Sequence, residues 1–185
     1  MVNKINEGIK ENYLFEDSIL VEKQENMKVP LYRKEGQIVV ISPKDNEKEH
    51  LWACFSDSVN RKIADYIVYK TINHEIVCFI IELKKTKTRN NGASANLQVL
   101  STCPLAKMIY EKITNNNATN LKIIGVKVFG PTAGRNQAKI SKKEKGRIDD
   151  VDNNCIVGIV THVQNNISAP LDSLEHYYKQ AVGIS

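Results

Sequence analysis

The tripeptide Glu82-Leu83-Lys84 closes an apolar run, Ile76-Val77-Cys78-Phe79-Ile80-Ile81. Alternate side chains of an extended strand share a face, so Glu82 and Lys84 emerge side by side while Leu83 turns to the opposite layer. Their same-face predecessors, Ile80, Cys78 and Ile76, are apolar. A carboxylate and an ammonium that follow such a run must reach the end of the sheet, or be paired with each other or with a metal. Asp65 opens the preceding β-rich stretch, Asp65 to Thr71, and Asn73-His74 separates the two stretches at hairpin spacing. A turn there makes the strands antiparallel and brings Asp65 to the same end as Glu82. Two carboxylates on rigid elements are the hard oxygen donors that Mg²⁺ takes, with waters and a substrate phosphate filling its octahedron. Such an ion polarises a phosphodiester oxygen and acidifies an attacking water, while a nearby ammonium orients that water or balances developing negative charge.

The tripeptide is a weak signal alone, since chance supplies about two in a chain of this composition. Glu82-Leu83-Lys84 is the only one present, and it stands at the end of the strongest strand. Position, not composition, singles it out.

The elements that must place these residues read as α/β, with a mixed central β-sheet flanked by helices. Ile5, Ile9, Leu14 and Ile19 give the stretch from Ile5 to Lys23 the spacing of an amphipathic helix. Val29 to Arg33 and Gln37 to Ser42 read as a hairpin turning at Gly36. Pro43 to Asn46 is a further turn, and His50 to Phe55 a short strand. Glu75 to Lys84 is apolar on both faces and is expected to be central. Lys85 to Gly92 reads as a basic loop and Ser94 as the N-cap of a helix through Leu97 and Leu100. Pro104 is expected to kink or split that helix, whose second piece carries Leu105, Met108, Ile109 and Ile113 and ends at Asn115-Asn116-Asn117. Leu121 to Phe129 and Cys155 to Val163 are strands, with a polar insert from Gly130 to Asn154 between them. Ser168 and Pro170 read as the start of a closing helix with Leu171, Leu174, Tyr178 and Val182 on its apolar face. The whole reads as a single domain over residues 1–185, its core from about 57 to 163 between an N-terminal helix and hairpin extension and the closing helix.

The bulk chemistry narrows the function classes. A hydrophobic fraction of 42% and a charged fraction of 25% are those of a globular chain. The N-terminus has no apolar signal region and no run is long enough to span a bilayer, so a soluble, cytoplasmic protein without membrane contact is expected. Cys54, Cys78, Cys103 and Cys155 form no Cys-x-x-Cys pair, which argues against a local zinc site. Gly130 to Arg135 lacks the Gly-Lys-Ser/Thr ending of a phosphate loop. His50 and His74 have no partner at catalytic spacing, and Trp52 is expected in the core. The net charge of +5 permits a polyanionic partner without demanding one. Of two basic clusters, Arg135 to Arg147 reads as a solvated loop, whereas Lys85, Lys87 and Arg89 continue directly from the carboxylates.

Ala64-Asp65, a hairpin, and then Ile80-Ile81-Glu82-Leu83-Lys84 resemble the core of the PD-(D/E)xK nucleases, which have a restriction-endonuclease-like fold. The resemblance spans Asp57 to Ile113, roughly a third of the chain. It implies that Asp65 and Glu82 are metal ligands for Mg²⁺, with Mn²⁺ as a substitute, and that Lys84 is the catalytic lysine. It also implies an accessory role for Gln98, in the helix after the lysine strand, and a further glutamate from the first helix, for which Glu11, Glu16 and Glu22 are all available. Ala64 stands where the motif has proline, a departure of little mechanistic weight. The implied activity is a metal-dependent endonuclease acting on nucleic acid, DNA more than RNA, with Lys85, Lys87 and Arg89 on backbone phosphates. The rival expectations are a resolvase-like nucleic-acid binder and a catalytically inactive nuclease-fold subunit acting through a protein partner. A chain of this size leaves target choice to a homodimer or to such a partner.

Overall fold

The computed structural model describes residues 2–9, 19–22, 27–31, 38–42, 63–131, 156–164 and 170–183. Within them the order of elements is α1 (Val2–Gly8), β1 (Ile19–Glu22), β2 (Met27–Pro30), β3 (Ile38–Ile41), β4 (Tyr66–Ile72), β5 (Glu75–Lys84), α2 (Arg89–Thr114), a 3₁₀ turn (Ala118–Asn120), β6 (Lys122–Phe129), β7 (Ile156–Val163) and α3 (Leu174–Val182). β3 to β7 form one mixed sheet in sequence order, so β5 is the middle strand. Its neighbour β4 is antiparallel and β6 is parallel. The turn between β4 and β5 falls at Asn73 and His74, both at positive φ (50° and 67°), the geometry of a tight hairpin that matches strand twist.

Strand alternation divides β5 between two cores. Ile76, Cys78 and Ile80 face one layer with Ile67 and Tyr69 of β4, Val99, Cys103 and Ala106 of α2, and Ile5 of α1. Val77, Phe79, Ile81 and Leu83 face the other, with Leu20 and Val29 of β1 and β2 and with Leu171, Leu174 and Tyr177 at α3. The helix layer packs closely because β6 has glycine at 125, where a Cβ would lie 2.6 Å from Val99 Cγ1. Tyr69 Oη donates to the Ala106 carbonyl at 2.6 Å, tying β4 to α2. On the far side Tyr66 Oη accepts from Val21 N and donates to Val21 O, fastening the β1–β2 ribbon to the sheet.

Several expectations are corrected. Ile19–Glu22 is a strand paired antiparallel with Met27–Pro30, not the end of a helix reaching Lys23. β2 does not pair with the segment after Gly36; β3 pairs with β4 instead. α2 begins at Arg89, because Thr88 comes before Ser94 and its side chain accepts the Asn91 N–H. It runs unbroken through Pro104, since buried residues on both sides, Ala95 and Val99 before and Ala106 after, hold both halves against one sheet face. Leu97 and Met108 are exposed. α3 starts at Leu174 behind Ser173, which caps His176 N. The strand expected over His50–Phe55, with Trp52, lies outside the described residues, as do Glu11, Glu16, most of the insert after Gly130, and Cys54 and Cys155. No helix among the described residues is long and apolar enough to cross a membrane.

Candidate functional site

β5 ends where its apolar face gives way to Glu82 and Lys84, and the parallel register places the C-terminal ends of β6 and β7 alongside. Openings at the C-terminal ends of parallel strands are where α/β sheets place ligands. Asp65 immediately precedes β4, and continuing the β4–β5 register sets it opposite Glu82. Both carboxylates are buried, Asp65 at 2% exposure and Glu82 at 0%.

Each carboxylate grips the backbone beside the other. Glu82 Oε2 accepts the Asp65 N–H at 3.2 Å, and Asp65 Oδ2 accepts the Leu83 N–H at 2.7 Å. Lys84 Nζ lies 2.7 Å from Glu82 Oε1, and its side chain keeps 14% of its surface exposed. Buried carboxylates need such partners, because an uncompensated charge taken out of water costs several kcal/mol, on the order of the stability of a domain.

α2 secures the approach to Asp65. Gln98, buried, donates from Nε2 to the Ile63 carbonyl at 3.2 Å, and its Oε1 accepts from Ser94 Oγ at 3.3 Å. One turn on, Thr102 Oγ1 accepts the Ala64 N–H at 2.8 Å and donates to the Gln98 carbonyl at 2.7 Å. Gln98 is therefore no surface residue; with Thr102 it fixes the two residues before Asp65. Thr102 was legible only as the helical neighbour of Gln98 at i+4. Ala64 also has more weight than expected, since the N–H it offers to Thr102 is one that proline lacks.

Beyond Lys84 the chain is held as firmly. Gly130 N donates to the Lys84 carbonyl at 2.8 Å, and a Cβ on Gly130 would lie 2.5 Å from the Lys85 carbonyl oxygen. Asn91 Nδ2 donates to the Thr86 carbonyl at 2.9 Å, pinning the basic stretch to the first turn of α2. Lys85 is exposed, Lys87 half-buried, and Arg89, exposed, opens the helix instead of sitting in a loop. Of the three glutamates expected to offer a further ligand from the first helix, Glu22 ends β1 and not a helix, and Glu11 and Glu16 lie outside the described residues.

Among the described residues no group of three or more His, Cys, Asp and Glu is placed to hold a metal ion. The carboxylates described at this site are Asp65 and Glu82. That donor set fits Mg²⁺, which usually takes one or two carboxylates, keeps several waters and accepts substrate phosphate. A residue that the sequence reading passed over is Lys127, the register partner of Glu82 on β6 and 8% exposed. Its signal was a lysine inside the apolar run that follows Lys122, Ile123-Ile-Gly-Val-Lys-Val-Phe129.

On the opposite face, His162 Nδ1 lies 3.6 Å from Asp172 Oδ2, and its ring meets Tyr177 edge-on at 5.9 Å. Burial pushes the His162 pKa below the ordinary histidine value, an effect that Asp172 partly offsets.

No family model matches the chain, and neither does any curated protein or solved structure.

Proposed function

We propose that the protein is a metal-dependent nuclease with a restriction-endonuclease-like core, hydrolysing phosphodiester bonds of nucleic acid, DNA in preference to RNA. The observation that carries this reading is the mutual clasp of Asp65 and Glu82, with Lys84 Nζ 2.7 Å from Glu82, at one end of a rigid sheet. Asp65 and Glu82 are the residues that would hold Mg²⁺, or Mn²⁺ in its place. When bound, the ion supplies Lewis-acid polarisation of the phosphate and an acidified water. Lys84 balances the negative charge that develops on the phosphate and orients the water by hydrogen bonding. Lys85, Lys87 and Arg89 meet flanking phosphates, which gives affinity without sequence preference. Gln98 and Thr102 act one step back, keeping Asp65 in register with Glu82.

Alanine at Asp65, Glu82 or Lys84 should abolish Mg²⁺-dependent cleavage of plasmid and oligonucleotide DNA while the circular dichroism spectrum stays that of the parent. Full cleavage by all three variants would remove the proposal. A salt-sensitive gel shift with no cleavage under any metal would replace it with the binding-only alternative.

A further inference from the structure

The two oxygens of Glu82 are engaged by groups of different kinds. Oε2 accepts the backbone N–H of Asp65 at 3.2 Å, whereas Oε1 lies 2.7 Å from Lys84 Nζ. The first contact ties Glu82 to the start of the neighbouring strand. The second is made by the tip of a flexible four-carbon stem. Alternation sets Glu82 and Lys84 on one face of β5. Of this pair only the lysine reaches solvent, with 14% of its side chain exposed and none of the glutamate's. The Lys84 backbone is fixed: its carbonyl accepts the Gly130 N–H at 2.8 Å, and it is the register partner of Phe129 on β6. What can move at this strand end is the lysine side chain, not the strand.

We propose that the Lys84 ammonium competes with the metal ion for Glu82 Oε1, so that metal entry displaces the lysine side chain and Lys84 sets the metal affinity of the site. The inference rests on the metal-dependent reading above. A buried carboxylate needs a counter-charge, and the ammonium supplies one. An ammonium and a divalent cation drawn to the same buried oxygen repel each other strongly, because little water lies between them to screen the charges. One of the two must leave. The long stem lets the lysine do so, swinging its charged end toward water while the sheet keeps its place. Once displaced, the ammonium is the group that the proposed reaction needs beside the phosphate. Lys84 therefore opposes the first ligand and assists the second.

The experiment reads binding, not cleavage. Parent protein, Lys84→Met and Lys84→Arg are titrated with Mn²⁺ by calorimetry in the absence of nucleic acid, with circular dichroism to check the fold. Methionine keeps an unbranched stem without the charge and should tighten Mn²⁺ binding about tenfold or more. Arginine, whose planar fork grips a carboxylate through two nitrogens, should weaken it several-fold. A lysine that merely anchors Glu82 would give weaker binding in the methionine variant, which overturns the inference. Adding Glu82→Gln to that variant should abolish the gain; a gain that survives places the ion elsewhere and overturns it too. Should the methionine variant fail to fold, Lys84→Gln carries the same comparison. Mn²⁺ binding by the parent with no tightening in the neutral variant overturns this inference alone. An absence of Mn²⁺ binding in the parent and in every variant overturns it together with the nuclease reading.

Discussion

The backbone N–H of Asp65 donates to Glu82 at 3.2 Å, while the Asp65 carboxylate accepts from the residue that follows Glu82, at 2.7 Å. Each carboxylate thus holds the backbone on which the other is mounted, and the two belong to one hydrogen-bond network. Stability effects of Asp65→Ala and Glu82→Ala should therefore be non-additive. A double-mutant cycle read by urea unfolding in the absence of metal should give a coupling of about 1–3 kcal/mol. Additivity within about 0.5 kcal/mol would mean that the clasp does not form in solution.

Restoring the motif proline should harm the protein. Ala64→Pro removes the N–H that donates to Thr102 Oγ1, and a buried hydroxyl that loses its donor costs about 1–3 kcal/mol. Thr102→Val, nearly isosteric, strands the Ala64 N–H and should cost a similar amount by the same measure. It should also reduce cleavage about 10- to 100-fold, as expected when a supporting hydrogen bond next to a metal ligand is removed.

Gly130→Ala tests the junction between β5 and β6. Its methyl would meet the Lys85 carbonyl oxygen at 2.5 Å, a backbone atom that moves only if Lys84 and Lys85 move. The overpacking should lower stability by about 1–3 kcal/mol. A melting temperature equal to the parent's would show that the two strand ends are not so closely apposed.

The basic stretch should act through charge number alone. Replacing Lys85 or Arg89 with glutamine should weaken duplex binding about equally for unrelated sequences and reduce the slope of log affinity against log salt by about one unit each. A change in sequence preference would instead assign a base contact to that residue.

His162 supplies a pH dependence remote from the carboxylates. Its folded-state pKa is lowered, chiefly by burial, so the unfolded chain takes up the proton first. The stabilisation is present above the unfolded pKa of about 6.5 and is lost as pH falls through the folded value. Urea titrations at pH 7.5 and 5.5 should show a smaller loss for His162→Asn than for the parent; equal losses would exclude the histidine as a source.

The residues differ in how much of this could be read from their order alone. Glu82 and Lys84 follow from alternation along an apolar strand, and the Asn73-His74 turn places Asp65 with them. Those inferences are local, or span one hairpin. β1 escaped because Ile19-Leu20-Val21 becomes a strand only through its pairing with Met27–Pro30, which no local periodicity announces. The sheet-facing side of α2 was misjudged because it is built of Ala95, Gln98, Val99 and Thr102, small and polar residues that pack there only because Gly125 leaves space on β6. Lys127 needed the parallel register between β5 and β6, which is fixed by the whole α2 crossover and not by either strand.

The hairpin tip has a practical use. Asn73 and His74 are exposed at the far end of β5 from Lys84, and at the usual rise per strand residue that end is about 30 Å away. A dye or surface tether attached through His74→Cys, in a chain whose described cysteines Cys78 and Cys103 are buried, would sit at the tip of the β4–β5 hairpin. Single molecules could then be immobilised in one defined orientation, with the Lys84 end of β5 turned away from the surface.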